Sequence, residues 1–321
     1  MIVLGDYWYM MSPNESKCYR SLLPDVLSNL PDHVIDVILM RLPCKDAVRT
    51  SILSKKWRYN WCRRTELTLD KSHWITKNDL LYPTVKFKKI ICQFFTLREG
   101  PITKFTLDIV NLENSPEIDN FIYFLSRNDI QHLVLHLSFD NPYKLPSSVF
   151  TCSQLRHLSL HNCSIHHSSV NFYAEEGYEV PTRLPFDLNS VKRFNLPYIM
   201  LIESYKLSYA FCLIKSFPYL EYLEIQLYSE DEEDDRILEC LELQRFSDVT
   251  FNHLREVKVK CFGGTMSEMQ LIKLLLAKSP VLVRMLIDRW FLEHGSLDTR
   301  LKILNEGRLK VELIGDAWSK F

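Results

Sequence analysis

The sequence predicts an α/β chain: three short helices at its start, then an irregular repeating stack of helices and short strands sharing one curved parallel sheet. Three observations carry that prediction. Residues 30–43, LPDHVIDVILMRLP, crowd large apolar side chains between two prolines. Runs of the form Leu-x-x-Leu-x-Leu recur from Ile102 onward. Stretches with apolar residues at helical spacing lie between several of those runs.

At 321 residues the chain can bury a sizeable core, as one large domain or two smaller ones. Hydrophobic residues at 46% and charged residues at 25% fit a soluble globular protein. The net charge of -1 gives no global pull toward nucleic acid or membrane, and 8 glycines leave little material for phosphate-cradling loops. The nine cysteines include no Cys-x-x-Cys pair and read as reduced thiols of the nucleus or cytoplasm. No apolar run is long enough to cross a bilayer. The opening MIVLGDYWYMM carries Asp6 and no basic leader, so it is a poor signal peptide, and residues 1–23 read as a flexible extension.

Pro31 suits the start of a helix, where a missing N–H is harmless, and Pro43 closes that helix. At about 100° per residue, Val34, Ile35, Ile38, Leu39 and Leu42 cover an arc of about 140°, with Val37 and Met40 outside it. That is wider than the stripe a single neighbour covers. CKDAVRTSIL then places Ala47, Val48, Ser51 and Ile52 near one face. SKKWRYNW opens on Ser54, a capping residue, and spaces Trp57 and Trp61 one helical turn apart. Three short helices are too small to bury all of this alone. The surplus face therefore belongs to a partner or to the rest of the chain.

The stretch LSNLPDHVIDVILMRLPCKDAVRTSILSKKWRYNW resembles an F-box, the three-helix module that docks on a Skp-type adaptor in cullin-based ubiquitin ligases. The matching points are Leu30-Pro31, Ile35, Ile38, Leu42-Pro43, Asp46, Ser51 to Leu53, and Lys56-Trp57-Arg58; Asn60 and Met40-Arg41 depart from the pattern. The resemblance implies an F-box over residues 24–72. It also implies that Leu30, Pro31, Ile35, Ile38, Leu39, Leu42, Pro43, Leu53 and Trp57 face the adaptor. Fully burying each of Leu30, Ile35, Ile38 and Leu39 stabilises by roughly 1.5–3 kcal/mol before the costs of association. A few such anchors hold a helix in a groove.

In LRHLSLHNC, Leu155, Leu158, Leu160 and Cys163 fill the leucine-rich-repeat template L-x-x-L-x-L-x-x-[NC]. Weaker copies are Ile102-Phe105-Leu107, Ile130-Leu133-Leu135, Val191-Phe194-Leu196, Leu220-Leu223-Ile225, Leu254-Val257-Val259 and Leu282-Met285-Ile287. Their spacing is uneven, roughly 25 to 36 residues, which predicts irregular repeats, here residues 80–246. Ser115-Pro116 opens a helix with Ile118, Phe121, Ile122 and Leu125 on one face, and Phe87, Ile90, Ile91 and Phe94 share that spacing. Ser267 and Gln270 read as a capping box, and Ser279-Pro280 as the end of the helix carrying Leu271, Leu274 and Leu275.

IDNFIYFLSRNDIQHLVLHL, YKLPSSVFTCSQLRHLSLHNC and LREVKVKCFGGTMSEMQLIKLLLAKSPVLVRMLI are similar to segments of plant F-box/FBD/LRR proteins. The last resembles the FBD segment that closes them, here residues 247–315. That family usually ends in a longer basic strand, so LKILNEGRLKVELIG predicts an abbreviated one.

Strand alternation turns the repeats into a surface map. If Leu158 and Leu160 point inward, His157, Ser159 and His161 point to the open face. The same register exposes Lys104, Thr106 and Asp108; His132, Val134 and His136; Arg193 and Asn195; Tyr222, Glu224 and Gln226; Glu256, Lys258 and Lys260; and Arg284, Leu286 and Asp288. The expected contacts to a target protein are His132, His136, His157, Ser159, His161, Tyr222, Glu224 and Lys258.

Other readings carry less. His132 beside His157, and His136 beside His161, would be cross-strand neighbours about 4.8 Å apart, close enough for a metal to bridge. Solvated or hydrogen-bonded histidines are the simpler expectation. SEDEEDD, residues 229–235, reads as a solvated loop. Lys55, Lys56, Arg58, Arg63 and Arg64 form a basic patch, but Trp57 and Trp61 look like packing residues rather than parts of a DNA-reading helix. No P-loop, Gly-x-Ser-x-Gly, His-Glu-x-x-His or paired-cysteine zinc spacing occurs. No catalytic residue, cofactor or metal ligand is therefore expected.

The resemblance implies the substrate-recognition subunit of an SCF-type ubiquitin ligase, joined to a cullin scaffold through the adaptor and acting by proximity. Its target is a protein that the sequence does not name; nucleic acid and membrane are not expected partners. The alternative is a non-catalytic leucine-rich-repeat binding module that engages the adaptor without delivering substrates.

Overall fold

The computed structural model describes residues 26, 27, 29–70, 92, 96, 100–110, 116–138, 143–165, 184, 187–200, 204–228, 250–289 and 310–314. The N-terminal extension, Phe87, Ile90, Ile91 and Phe94, Ser115 and the acidic run 229–235 lie outside them.

Pro31 and Pro43 each stand immediately before a helix, α1 (Asp32–Arg41) and α2 (Cys44–Arg49). Their φ values of -58° and -52° already suit a helix, and proline leaves no N–H unpaired at that end. Asp32 in the first turn of α1 and Arg41 in its last complement the helix dipole. A single 3-10 turn, Thr50–Ile52, follows α2.

The third expected helix does not form. Residues 55–59 are turns, and Asn60–Arg63 is a 3-10 helix. Ser54 is no cap, since its hydroxyl is buried without a hydrogen-bond partner among the described residues. Tertiary bonds fix this segment instead. Trp57 Nε1 donates to the Leu27 carbonyl at 3.0 Å, and Lys56 donates to the Leu30 carbonyl while pairing with Asp32 at 3.2 Å. These bonds override the helical spacing of Trp57 and Trp61, although both indoles are buried.

Immediately after this comes β1 (Glu66–Leu69), then β2 (Lys104–Val110), helix α3 (Pro116–Ser126), β3 (His132–Ser138) and the short β4 (Tyr143–Leu145). The chain continues with β5 (His157–His161), β6 (Cys163–Ile165), β7 (Arg193–Met200), helix α4 (Ser204–Lys215) and β8 (Tyr222–Tyr228). Last come β9 (Glu256–Phe262), helix α5 (Met266–Lys278), β10 (Arg284–Arg289) and β11 (Lys310–Ile314). Nine of these strands form one sheet in the order β1-β2-β3-β5-β7-β8-β9-β10-β11, every neighbour parallel. Parallel neighbours in chain order are what a helix-then-strand repeat produces.

The repeats pair in step. Phe105, Leu133, Leu158, Phe194, Leu223, Val257, Met285 and Val311 occupy one continuous row across the sheet. At each entry one carbonyl accepts two N–H groups from the next repeat: Gln131 from Arg156 and His157, Arg156 from Lys192 and Arg193, Glu221 from Arg255 and Glu256. These bonds lock the register before the strands begin. The apolar side of the sheet meets the helices. Phe105 packs edge-on against Phe121 of α3 with ring centroids 4.6 Å apart, and Phe194 meets Phe217, just after α4, at 4.9 Å.

Each template run forms a strand with its apolar residues buried, as expected. The outermost strands carry weaker sequence signals. β1 is only ELTL, and β11 pairs with β10 over all five of its residues. β4 and β6 form a separate two-stranded parallel pair. The capping box of α5 is also displaced by two residues from the Ser267-Gln270 reading. Thr265 is the cap and Glu268 its partner, because Glu268 also gathers the N–H groups of the preceding turn. The helix ends at Lys278, with Ser279 as its C-cap, where expected.

Candidate functional site

Two surfaces matter, one at each part of the expected division of labour. On the N-terminal helices, the expected adaptor residues separate into two sets. Ile35 is 0% exposed, and Leu39 and Trp57 are equally sealed by their own chain. They are core residues and correct the expectation that they face an adaptor: the wide apolar arc of α1 is the inward face. Leu30, Ile38 and Leu42 are half-buried against that core. Pro31, Pro43 and Leu53 are exposed. The surplus apolar surface includes residues the sequence reading did not select: Val37, Met40 at 55% and Ile52 at 64% exposed, with Val26, Leu27 and Tyr59 nearby in sequence. Val37 and Met40 already lay outside the 140° arc, so the signal was their misfit to the inward face.

The second surface is the polar side of the sheet. Here β2, β3 and β5 set Asp108, His136 and His161 in one row and Lys104, His132 and His157 in another. The expected histidine neighbours are confirmed. His132 and His157 meet edge-on at 5.7 Å between ring centroids, and His136 and His161 at 5.8 Å. Ser159 departs from expectation. It is 4% exposed and lies at the floor, its hydroxyl 3.4 Å from His136 Nε2. Leu286 is also buried rather than presented.

Further along the sheet, four side chains form a linked wall. The Arg193 guanidinium lies 4.2 Å from the Tyr222 ring centroid. Tyr222 donates its hydroxyl to Glu224 Oε2 at 2.8 Å, and Lys260 Nζ sits 2.6 Å from Glu224 Oε1. Burial pushes the Glu224 carboxyl up, but the bonds from Lys260 and Tyr222 outweigh it and hold the group below its ordinary range. Burial and the Glu224 bond push Tyr222 upward. Lys258 stands on the same face beside Glu224 in register, half-buried.

His136, His157 and His161, with Glu224 and Lys260 of the wall, border a half-open recess of about 390 Å³, lined also by Val134, Ser159, Asn195, Leu196 and Gln226. The lining holds no cysteine. Elsewhere burial pushes the Cys152 thiol up to about 12 and Cys212 to about 11, which keeps both protonated at neutral pH.

The histidines make the face sensitive to acid. Burial, with the neighbouring His132 and Arg193, holds His157 down to about 4. Burial likewise lowers His132, His136 and His161. Between about pH 6.5 and 4 the unfolded chain therefore binds more protons than the folded one, and stability falls with pH. The loss starts as pH drops through 6.5 and is complete below about 4. Urea midpoints should fall from pH 7 to pH 4.5, and His157→Gln should flatten that slope; an unchanged slope would contradict the buried placement of this ring.

Residues 27–65 match the F-box domain family. An F-box/FBD/LRR-repeat protein of Arabidopsis thaliana is 39% identical over 140 residues, covering 44% of this chain and 33% of the relative. An F-box/LRR-repeat protein of the same plant is 34% identical over 137 residues, covering 42% and 36%. A second F-box/FBD/LRR-repeat protein is 27% identical over 246 residues, covering 74% and 48%, so similarity extends well past the F-box. The chain spans about a third to a half of the length of these relatives. The N-terminal module is thus an F-box, on an α/β scaffold with a sheet of parallel strands. The match and the relatives together make the chain similar to plant F-box/FBD/LRR-repeat proteins, within the F-box and beyond it. None of these relatives is named for an enzymatic activity.

Proposed function

We propose that the chain is the non-catalytic substrate-recognition subunit of an SCF-type ubiquitin ligase. The F-box docks on a Skp-type adaptor and through it on a cullin, and the parallel sheet belongs to a leucine-rich-repeat solenoid, closed by the FBD segment over 247–315, whose polar face captures a target protein. One observation carries this reading: the F-box buries Ile35, Leu39 and Trp57 for its own fold and still leaves Val37, Met40, Ile52 and Leu53 exposed. Apolar surface of that kind marks an interaction site. The residues proposed to meet the adaptor are Pro31, Pro43 and Leu53 with Val37, Met40 and Ile52, flanked by the half-buried Leu30, Ile38 and Leu42. The complex works in the nucleus or cytoplasm.

Delivery works through effective concentration: holding target and charged ubiquitin carrier on one scaffold makes their encounter intramolecular. Reconstituting adaptor, cullin and this chain with a trapped target should yield ubiquitylated target. Capture without turnover would favour the alternative, a binding module that engages the adaptor without delivering substrates. His157→Ala with Tyr222→Ala should reduce target capture at least tenfold while adaptor binding persists. Joint loss of both would contradict two separate surfaces.

A further inference from the structure

The recess on the polar face has two polar atoms with nothing to bond. His157 Nε2 and Asn195 Oδ1 are both buried and lack a hydrogen-bond partner among the described residues. A buried polar atom left unpaired costs about 1–3 kcal/mol, so such atoms mark places where a ligand supplies the missing partner. Their neighbours are already committed: both Glu224 oxygens are taken, one by Tyr222 and one by Lys260.

In the sheet, His157 pairs with Arg193, and Asn195 is two residues further along that strand. The two side chains therefore stand on adjacent strands, one row apart, on the same face of the sheet. A primary carboxamide carries donors and an acceptor in one small planar group, so a single one can serve both atoms. Its NH2 donates to Asn195 Oδ1. Its remaining donor or its carbonyl satisfies His157 Nε2 in either neutral tautomer. A carboxylate cannot donate to Asn195 at neutral pH. The lining also offers no free cation to draw one in, because its single lysine is paired with its single glutamate. Burial keeps the His157 ring uncharged at neutral pH, which agrees with this.

We infer that this recess takes the primary carboxamide of a glutamine or asparagine side chain from a protein segment lying along the sheet. The assignment rests on the proposed capture of a target by the polar face. It favours a protein segment over a free small amide because charged rows continue past the recess on both sides, through Lys104 and Asp108 in one direction and Lys258 and Arg284 in the other.

The test uses the full chain labelled with 15N-histidine, with the His157 ring assigned through His157→Gln. Three peptides are titrated at pH 7: acetyl-Ala-Gln-Ala N-methylamide and its Glu and Met counterparts, so that the Gln side chain carries the only primary carboxamide. The Gln peptide should shift the His157 ring resonances and saturate, with the Glu and Met peptides at least tenfold weaker. Asn195→Leu should erase that preference; because the comparison among peptides is made on the natural chain, it stands even if the variant fails to fold. Propionamide, which carries the head group alone, should bind at least tenfold more weakly than the Gln peptide. Equal responses to the three peptides, silence at His157, or propionamide matching the Gln peptide would each overturn the inference. If Gln preference is absent while Tyr222→Ala still weakens target capture, this inference falls and the proposed function stands.

Discussion

Glu268→Ala is expected to cost about 3–5 kcal/mol of folding free energy. Glu268 is 0% exposed, and its Oε2 accepts N–H bonds from Gly263 at 3.0 Å, Gly264 at 2.6 Å and Thr265 at 3.0 Å. Its own N–H donates to the Thr265 hydroxyl at 3.3 Å, which completes the capping box of α5. Gly264 holds φ at 84°, a conformation open to glycine without strain, and this curls the turn around the carboxylate. Alanine strands three N–H groups in a closed turn. Glutamine retains one acceptor oxygen and should lose less than half as much. Urea unfolding of the two variants checks both values; a cost below about 1 kcal/mol for alanine would mean that water replaces the carboxylate freely. The turn links β9 to α5 and thence to β10, so it also positions the strand that carries Lys258 and Lys260.

Ile35→Ala should destabilise the F-box by about 2–5 kcal/mol, the range for emptying a buried aliphatic site. Ile35 sits in the same core as Leu39, Ala47, Trp57, Trp61 and Cys62, and it has no exposed surface with which to touch another protein. Amides of α1 should lose hydrogen-exchange protection while those of the central strands β5, β7 and β8 keep theirs. Adaptor binding would fall with it, but through loss of the F-box fold. Protection of α1 within about 1 kcal/mol of the natural chain would show that Ile35 is not a core anchor.

Much of the sheet was legible because its signal repeats. A single Leu-x-x-Leu-x-Leu run is weak, but the copies from Ile102 to Leu282 agree with one another, and each predicted strand pairs in register with the next. That agreement also placed His132 against His157 and His136 against His161. Where the repeat signal thins, as at Glu66–Leu69, composition alone cannot separate an edge strand from a loop.

The F-box was harder to read for a different reason. Periodicity identifies an apolar arc without saying whether it faces its own chain or another. Family likeness to a docking module drew Ile35, Leu39 and Trp57 to the partner's side, whereas packing keeps them inside. The third helix failed because tryptophan spacing is a local cue, and the bonds from Trp57 and Lys56 to residues 27 and 30 are not local. Ser159 follows strand alternation and yet is buried, since larger side chains on the neighbouring strands close over a serine.

The central claim is that exposed apolar side chains of the F-box, and not its core, hold the adaptor. Calorimetric titration of a Skp-type adaptor into the full chain, into Met40→Glu/Leu53→Glu and into His157→Ala/Tyr222→Ala tests it directly, with circular dichroism to check folding. The account predicts at least a hundredfold weaker binding for the Met40/Leu53 pair with the fold unchanged, and unaltered binding for the His157/Tyr222 pair. Full-strength adaptor binding by a folded Met40→Glu/Leu53→Glu chain would contradict it.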